Sequence, residues 1–237
     1  MVCADASDGA DHFAPSLFTN ESYELREFVY GQHTLRVLCS PAASTDYDLT
    51  GLVLWPAAHL LAEYMAANMA HLAACNAACE LGAGLGLVGL LAGKACPVML
   101  TDHNEVVLRV LQRNAAENPG PHSVRCMQLD WGDDHGIAAV LHASPDGQGY
   151  DLVLSSDVAY SLKALPALFC AAARLLARRP GAEFWLGYVS RAAGIDRGIH
   201  TEAAAAGLHM REVPGTRQRV AGGLEGVVFR CRHKEPA

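Results

Sequence analysis

Lysine is scarce in this chain of 237 residues, where it accounts for only three of the eighteen basic residues, and the net charge is −7. Long duplex nucleic acid usually meets a basic face, so this charge balance indicates no nucleic-acid partner. Histidine, asparagine, glycine or charged residues interrupt the apolar stretches, so we expect no membrane span. The N-terminus lacks both the basic and the apolar region of a secretory signal. These absences predict a location in the cytoplasm, and also allow the nucleus.

The eight cysteines follow the spacing of neither a disulfide framework nor a zinc finger. Cys75 and Cys79 are the only close pair, and no second Cys/His pair stands at zinc-finger distance from them. Four of the eight lie in apolar stretches that are typical of a core. We therefore expect free, buried thiols in a reducing compartment and no metal site.

Length and composition favour one folded domain. Hydrophobic residues make up 51% of the chain, which is enough for the core of a single α/β domain. We expect residues 1–22 to form a flexible lead and residues 23–237 to form the domain. Residues 23–39 alternate between apolar and polar, which predicts an N-terminal β-hairpin that turns near residues 31–32. Helical spacing of Ala, Leu and Met predicts a long helix over about residues 57–73.

Strands and helices then alternate. The pattern predicts seven strands, at residues 75–81, 97–101, 124–129, 150–155, 183–189, 208–213 and 226–231. It predicts helices at residues 85–93, 105–117, 165–178 and 199–206. This alternation is typical of an α/β fold with a doubly wound, mostly parallel seven-stranded sheet. The last two strands have no helix between them, so we expect them to form an antiparallel hairpin at the sheet edge.

A glycine-rich loop follows the first of these strands. Glu80, Gly82 and Gly84 form an acidic-x-Gly-x-Gly motif, in which glycine permits a sharp turn and close approach of a ligand to the backbone. The overlapping stretch Gly84-x-Gly86-x-x-Gly89 also satisfies the pattern of dinucleotide binders. The loop therefore predicts a nucleotide cofactor and leaves its identity open.

The other strand ends also carry chemical groups. Asp102 follows Gly82 by twenty residues, a spacing that suits a carboxylate bound to ribose hydroxyls. Asp130 and Trp131 end the third strand, where they could flank an adenine, and Asp157 ends the fourth. Each has a structural alternative, because Asp102 or Asp157 could cap a helix or turn and Trp131 could be core. Because ligands of open parallel sheets bind beyond the carboxyl ends of the strands, the combination favours a binding site.

These motifs together resemble a known family, the seven-strand S-adenosylmethionine-dependent methyltransferases, and more narrowly the eukaryotic protein-lysine methyltransferases that act on chaperones, AAA-type ATPases, translation factors and calmodulin. The motifs that carry the resemblance are Thr50-Gly51, residues 53–58, residues 61–64, Glu80-Leu81-Gly82-Ala83-Gly84, residues 86–89, Thr101-Asp102, Asn114, Asn118, residues 129–132 and residues 150–160. Two departures are Leu85, where threonine is usual, and Ser156, where alanine is common.

The resemblance implies a Rossmann-like methyltransferase fold, S-adenosylmethionine as cofactor, and specific roles. It implies cofactor binding by Trp55, Glu80, Gly82, Ala83, Gly84, Asp102, Asp130, Trp131 and Ser156. Asp157 and Tyr160 match the family's D-x-x-Y motif, which implies catalysis and substrate positioning. Tyr188 and Arg191 follow the fifth strand, where either substrate contact or a structural role remains open.

The resemblance favours a protein N-methyltransferase that acts on a lysine side chain of a protein substrate. A chaperone, an ATPase or a translation factor would be the partner, and we expect a monomer. The same fold acting on arginine or on a small amine remains an alternative. Two other classes remain open, an NAD(P)-binding oxidoreductase and a non-catalytic interaction protein. No Tyr-x-x-x-Lys dyad supports the first, and the retained acidic motif residues argue against the second.

Overall fold

The computed structural model describes residues 23–40 and 47–234, so the predicted flexible lead at residues 1–22 lies outside the described residues. Strands β1 (Glu24–Tyr30) and β2 (His33–Cys39) form an antiparallel hairpin. Gly31 lies in its turn with φ of 58°, a conformation that favours glycine. The predicted N-terminal hairpin and its turn are confirmed.

A larger sheet forms the centre of the molecule. Its strands within the described residues are β3 (Ala78–Leu81), β4 (Val98–Asp102), β5 (Val124–Gln128), β6 (Leu152–Ser156), β7 (Glu183–Val189), β8 (Leu208–Glu212), β9 (Gln218–Arg219) and β10 (Glu225–His233). The strand order is β5-β4-β3-β6-β7-β10-β8, and the two-residue β9 pairs with β10. Strand β3 pairs in parallel with both β4 and β6, so the order of winding reverses between β3 and β6.

Helices cover both faces of this sheet. They are α1 (Pro56–Ala66), α2 (Met69–Ala73), α3 (Leu87–Ala92), α4 (Glu105–Glu117), α5 (Asp134–His142), α6 (Leu165–Leu175) and α7 (Ala193–Ala205). Two short 3₁₀ segments lie at Tyr47–Leu52 and Ala221–Gly223. Residues of α1, α3, α4 and the N-terminal hairpin form one apolar core, and residues of α5, α6 and α7 form a second. The predicted doubly wound, mostly parallel α/β fold is confirmed.

Three details differ from the sequence prediction. The long helix predicted over residues 57–73 divides at residues 67–68 into α1 and α2. Helix α5 was not predicted, because the polar, glycine-containing segment before it favours a loop. Helix α7 begins at Ala193, before the predicted start near residue 199. The last two long strands, β8 and β10, form the predicted antiparallel pair at the sheet edge, with β10 between β7 and β8.

The seven cysteines within the described residues are free, and Cys39, Cys79, Cys96 and Cys231 among them are buried. Burial raises the pKa of the Cys96 thiol to about 12. In the part of the chain that the structure describes, no helix has the length and apolar character needed to cross a membrane.

Two asparagines, one in α4 and one directly after it, attach the N-terminal hairpin to the rest of the domain. Asn114 is fully buried, accepts a hydrogen bond from the Leu38 N–H at 2.8 Å and donates to the Leu85 carbonyl at 2.9 Å. One turn later, Asn118 accepts from the Arg36 N–H at 2.9 Å and donates to the Arg36 carbonyl at 2.6 Å. Spacing of four residues puts both amides on one side of the helix, facing β2. These side chains satisfy backbone groups on the edge of β2 that faces away from its partner strand β1.

Replacement of Asn114 should weaken this attachment. Asn114→Ala leaves the partly buried Leu38 N–H and the buried Leu85 carbonyl without their partner, so we expect the free energy of unfolding to fall by about 2 kcal/mol. Urea denaturation measures the change. Gln112→Ala, an exposed position of the same helix, is the matched control and should change stability by less than about 0.5 kcal/mol. Equal effects of the two substitutions would contradict the proposed attachment.

Candidate active site

A cleft opens at the carboxyl ends of β3, β4 and β6, at the point where the order of winding reverses. We call it the main cleft. Ten of the eleven residues that the sequence analysis assigned to a site line it: Trp55, Glu80, Gly82, Ala83, Gly84, Asp102, Trp131, Ser156, Asp157 and Tyr160. Residues far apart in the chain thus meet at the position where open parallel sheets bind ligands.

Two glycines shape the floor of the main cleft. Gly82 has φ of 65°, and a Cβ there would stand 2.7 Å from Val158 and 3.1 Å from the Trp131 ring. Gly84 has φ of 54°, and a Cβ there would stand 2.9 Å from the Gly51 carbonyl. Both conformation and space therefore require glycine at these positions. The glycine loop therefore connects β3 to α3, and no side chain at Gly82 or Gly84 covers its backbone on the side of the cleft.

Asp102 joins the glycine loop to the next strand. It is 6% exposed, and its Oδ2 accepts a hydrogen bond from the Gly84 N–H at 3.0 Å. Its Oδ1 accepts from the Asn104 N–H at 3.1 Å, and the His103 ring stands 3.5 Å away. A carboxylate can accept about four hydrogen bonds, so these two backbone donors leave capacity for hydroxyl groups of a ligand.

Glu80 lines the main cleft from a buried position beneath the glycine loop. It is 1% exposed, and its Oε2 accepts a hydrogen bond from the Gly89 N–H in the first turn of α3 at 2.8 Å. Burial raises the pKa of Glu80 to about 8, and the nearby charge of Asp102 adds to this effect. The Gly89 N–H opposes it by stabilising the carboxylate. Glu80 thus lines the cleft and also holds α3 against the loop.

Asp157 connects β6 to the start of α1. It is the only non-glycine residue with positive φ among the described residues, at 58°, and its side chain is 1% exposed. Its Oδ2 accepts a hydrogen bond from the Ala57 N–H at 3.3 Å. An N–H in the first turn of a helix has no partner within the helix, so this carboxylate stabilises the end of α1. Strained backbone of this kind is concentrated at functional sites.

Trp55 lies immediately before α1. Pro56 begins the helix with its φ already suited to that position, and Trp55 is held by an Nε1–H bond to the Thr50 carbonyl at 2.9 Å. The ring is 38% exposed, which is high for tryptophan. It is available as an apolar wall for a ligand.

Trp131 and Asp130 occupy different positions. Trp131 lines the main cleft with its ring against Gly82. Asp130 is exposed and lies outside the lining, where its Oδ1 accepts a hydrogen bond from the Gly132 N–H at 2.8 Å. Adenine contact by Trp131 and ligand binding by Asp130 both stay predictions from the resemblance.

A second space adjoins the main cleft, and we call it the outer cavity. It has a volume of about 340 Å³ and is lined by Thr50, Trp55, Asp157, Tyr160 and Arg191. Four of these residues also line the main cleft, so the two spaces meet at Asp157 and Tyr160. Arg191 belongs to the outer cavity alone. Tyr160, which is 41% exposed, forms part of its mouth.

Arg191 is the site residue whose role the sequence left open. Its guanidinium forms an ion pair with Asp157, and its Cζ stands 5.8 Å from the centroid of the Trp55 ring. The nearby Tyr188 hydroxyl instead donates to Asp196 at 2.6 Å. Arg191 follows β7 by two residues, and that position beyond a strand end was the signal for it. His103 also lines the cleft, but no sequence pattern singled it out.

The chain is similar to known proteins in both sequence and fold. A family model described as "Lysine methyltransferase" matches residues 43–194. The chain belongs to this family. The resemblance inferred from the motifs is confirmed. The matched segment contains all the residues that line the main cleft and the outer cavity.

Individual relatives agree on protein methylation and differ in the residue type. The chain is 32% identical to protein N-lysine methyltransferase METTL21A of Mus musculus over 57% of this chain and 58% of that protein. It is 30% identical to protein-lysine N-methyltransferase EEF2KMT of Bos taurus over 75% of this chain and 58% of that protein. It is 33% identical to histone-arginine methyltransferase METTL23 of Xenopus laevis over 68% of this chain and 66% of that protein. The chain therefore spans about three-fifths of the length of the first two relatives.

Solved structures support the fold. A putative SAM-dependent methyltransferase from Streptococcus mutans has a TM-score of 0.57 at 10% identity, over 90% of this chain and 57% of that chain. Magnesium protoporphyrin IX methyltransferase from Synechocystis, solved with bound SAH, has a TM-score of 0.53 at 16% identity, over 75% and 82%. At these identities the likeness establishes the methyltransferase fold alone.

Substitution of Glu80 should change how stability depends on pH. The native carboxyl, with its pKa near 8, keeps its proton at pH values where the unfolded chain, with a pKa near 4.5, has lost it. The native state therefore binds more protons between these values, and the stability of the wild type falls as pH rises through this window. Glu80→Gln does not ionise, so its stability relative to the wild type should rise by about 2 kcal/mol from pH 6 to pH 8.

Urea denaturation of the ligand-free proteins at several pH values measures this difference. Glu80→Ala is the control, because it also removes the acceptor of the Gly89 N–H and should be less stable than Glu80→Gln throughout. A stability difference between Glu80→Gln and wild type that stays constant from pH 6 to pH 8 would contradict a raised pKa.

Proposed function

We propose that this chain is a protein N-methyltransferase that transfers a methyl group from S-adenosylmethionine to the side-chain nitrogen of a lysine in a protein substrate. The observation that carries the proposal is the junction of the main cleft and the outer cavity at Asp157 and Tyr160. A cofactor in the first space and an acceptor side chain in the second would meet at this junction. Family membership and the names of the relatives support methyl transfer to protein.

The residues of the main cleft have the chemistry that the cofactor requires. Asp102 would accept hydrogen bonds from the ribose hydroxyls, and Trp131 would stack against the adenine. Trp55 and the loop at Gly82–Gly84 would hold the methionine portion, since both glycines leave the backbone accessible. When bound, S-adenosylmethionine supplies an electrophilic methyl group on a sulfonium. The protein residues orient this group and exclude water around it.

The outer cavity suits a long, unbranched amine. Trp55 and Tyr160 provide aromatic walls along which the methylene groups of a lysine can pack. Methyl transfer is an in-line displacement, so alignment of the nitrogen with the methyl group accounts for much of the rate. Asp157, at the junction, is the group that would orient this nitrogen by a hydrogen bond.

Charge favours lysine over arginine as the acceptor. An arginine side chain stays protonated at any pH in which proteins are stable, so it needs carboxylates to balance it. Asp157 is the single carboxylate that lines the outer cavity within the described residues, and Arg191 already pairs with it. Methylation of arginine is the second candidate, because one group of relatives is named histone-arginine methyltransferase.

The identity of the protein substrate is a separate proposal. Chaperones, AAA-type ATPases and translation factors are the classes that we propose to test first. We also propose that the chain acts as a monomer, because residues of one chain line both the main cleft and the outer cavity.

Asp102→Ala should weaken cofactor binding. Loss of hydrogen bonds between a carboxylate and two hydroxyls corresponds to a reduction in affinity of about 10-fold to 100-fold. Isothermal titration with S-adenosylhomocysteine measures the affinity. Asp134→Ala, at an exposed ion pair with Arg174 outside the lining of the cleft, is the control and should bind as the wild type does. Unchanged affinity of Asp102→Ala would count against the assigned role of Asp102.

Asp157→Asn should reduce methylation while preserving the fold. Asparagine keeps an oxygen for the Ala57 N–H and tolerates the positive φ at this position, so the start of α1 should persist. Loss of the carboxylate should lower the rate of methyl transfer by about 100-fold, within the range for a positioned acid–base group. The affinity for S-adenosylhomocysteine should change by less than about threefold.

The measurement starts from cell lysate incubated with labelled S-adenosylmethionine and the purified enzyme. Mass spectrometry identifies the labelled protein and residue, and the rate of labelling is then compared between the wild type and Asp157→Asn. Methyl-lysine is the expected product. A methyl-arginine product would overturn the proposed acceptor, and an undiminished rate for Asp157→Asn would overturn the role of Asp157.

A further inference from the structure

Arg191 is fixed at the place where the acceptor nitrogen of the proposed reaction must arrive. Its Nη1 donates to Oδ1 of Asp157, and the same nitrogen lies 3.5 Å from the Val189 carbonyl. The guanidinium also lies over the Trp55 ring. The Asp157 side chain is 1% exposed and that of Arg191 is 29% exposed, so the carboxylate is covered and the cation faces the outer cavity.

A carboxylate by itself creates a chemical difficulty for methyl transfer to an amine. The nitrogen needs its lone pair, but at pH 7 only about one lysine amine in 2,500 is neutral. A nearby carboxylate stabilises the ammonium form and makes the neutral amine rarer still. Asp157 can orient the nitrogen productively only if its charge is offset by another group.

We propose that Arg191 is a positioning residue that neutralises Asp157, so that the acceptor nitrogen enters the outer cavity as the neutral amine. The inference rests on the proposed function and deepens it. Arg191 is the only arginine or lysine among the described residues that line either the main cleft or the outer cavity. The pair Asp157–Arg191 therefore carries no net charge, and it still leaves carboxylate lone pairs for one hydrogen bond from the amine.

Conservation of charge in the reaction fits this arrangement. The lysine ammonium first loses its proton to solvent. The nitrogen lone pair then forms the N–C bond, and the C–S bond breaks with its electrons on sulfur. One positive charge is present before the step, on the sulfonium, and one after it, on the methylated nitrogen. Entry of the ammonium form would bring a second positive charge beside the sulfonium, which a neutral ion pair does not balance.

Other titratable groups around this ion pair have hydrogen-bond partners of their own or line the outer cavity or the main cleft. From α7, Asp196 accepts hydrogen bonds from the Tyr188 hydroxyl at 2.6 Å and from the Ser190 hydroxyl at 3.0 Å. Burial raises the pKa of Tyr188, and its bond to Asp196 adds to this effect, so Tyr188 stays neutral. Tyr160 faces the outer cavity, and the main cleft contributes Glu80, Asp102 and His103.

The test uses sinefungin, an analogue of S-adenosylmethionine in which a carbon with an amino group replaces the methylsulfonium. Its amine stands where the transferred methyl group would be and points toward the acceptor. S-adenosylhomocysteine, which has no group there, is the neutral reference. The ratio of the two affinities, measured by isothermal titration from pH 6 to pH 9, reports how the site tolerates positive charge. No protein substrate is needed.

Arg191→Met should raise the preference for sinefungin over S-adenosylhomocysteine about tenfold at pH 7, because Asp157 is then unbalanced. The apparent pKa of the bound amine should rise by about one unit relative to the wild type. Arg191→Lys keeps the charge and should resemble the wild type. In the double variant Arg191→Met/Asp157→Asn the preference should return to the wild-type value, because Arg191 acts through Asp157.

The proposal is overturned if Arg191→Met prefers sinefungin over S-adenosylhomocysteine to within twofold of the wild type. It is also overturned if Arg191→Met raises this preference as much in the Asp157→Asn variant as it does in the wild type. If Arg191→Met does not bind S-adenosylhomocysteine, Arg191→Gln replaces it. If neither variant binds S-adenosylhomocysteine, the Asp157→Asn variant is the test. Its unpaired Arg191 should lower the preference for sinefungin about tenfold. An unchanged preference in Asp157→Asn would overturn the proposal. Failure of the proposed function is distinct: wild type that does not bind S-adenosylhomocysteine refutes the cofactor, and absence of methyl-lysine refutes the acceptor.

Discussion

The carboxylate of Asp157 joins three elements that the site depends on. Asp157 directly follows β6 and has a positive φ. Its carboxylate accepts a hydrogen bond from the Ala57 N–H in the first turn of α1 and pairs with Arg191, which lies beyond β7. Because α1 begins directly after Trp55, the same contact fixes the position of that ring. The junction between the main cleft and the outer cavity is therefore built around one buried charge. Burial of a charge is stable only when it is paired and hydrogen-bonded, and here both conditions are met.

The glycine loop imposes a second constraint, which is steric. Gly82 lies against Val158 and the Trp131 ring, and Gly84 lies against the Gly51 carbonyl. A side chain at either position would separate β3 from elements that contribute to the cleft. The glycine loop, Val158 beyond β6 and Trp131 beyond β5 are thus packed against one another. The Gly84 N–H also donates a hydrogen bond to Asp102, which ties the loop to the end of β4.

Much of the fold was predictable because its signals are local. The turn of the N-terminal hairpin, the helix at Glu105–Glu117 and the strand at Glu183–Val189 follow from periodicity and from nearby glycine, proline and asparagine. Helix α5 was missed because its polar and glycine-containing start resembles a loop. The antiparallel pair of β8 and β10 at the sheet edge was predictable because no α-helix separates these two strands in the sequence.

The sequence by itself determined the family, the cofactor class and the residues that gather at the strand ends. It could do so because parallel strands bring their carboxyl ends to one edge, so residues at known offsets must converge. Only the tertiary structure decided which of them face the cleft and which pair with one another. Asp130 and Trp131 are neighbours in sequence but differ in exposure, and Arg191 meets Asp157 across 34 residues. Pairing of charges depends on side-chain direction and on distance in space, and neither is encoded in the spacing of a motif.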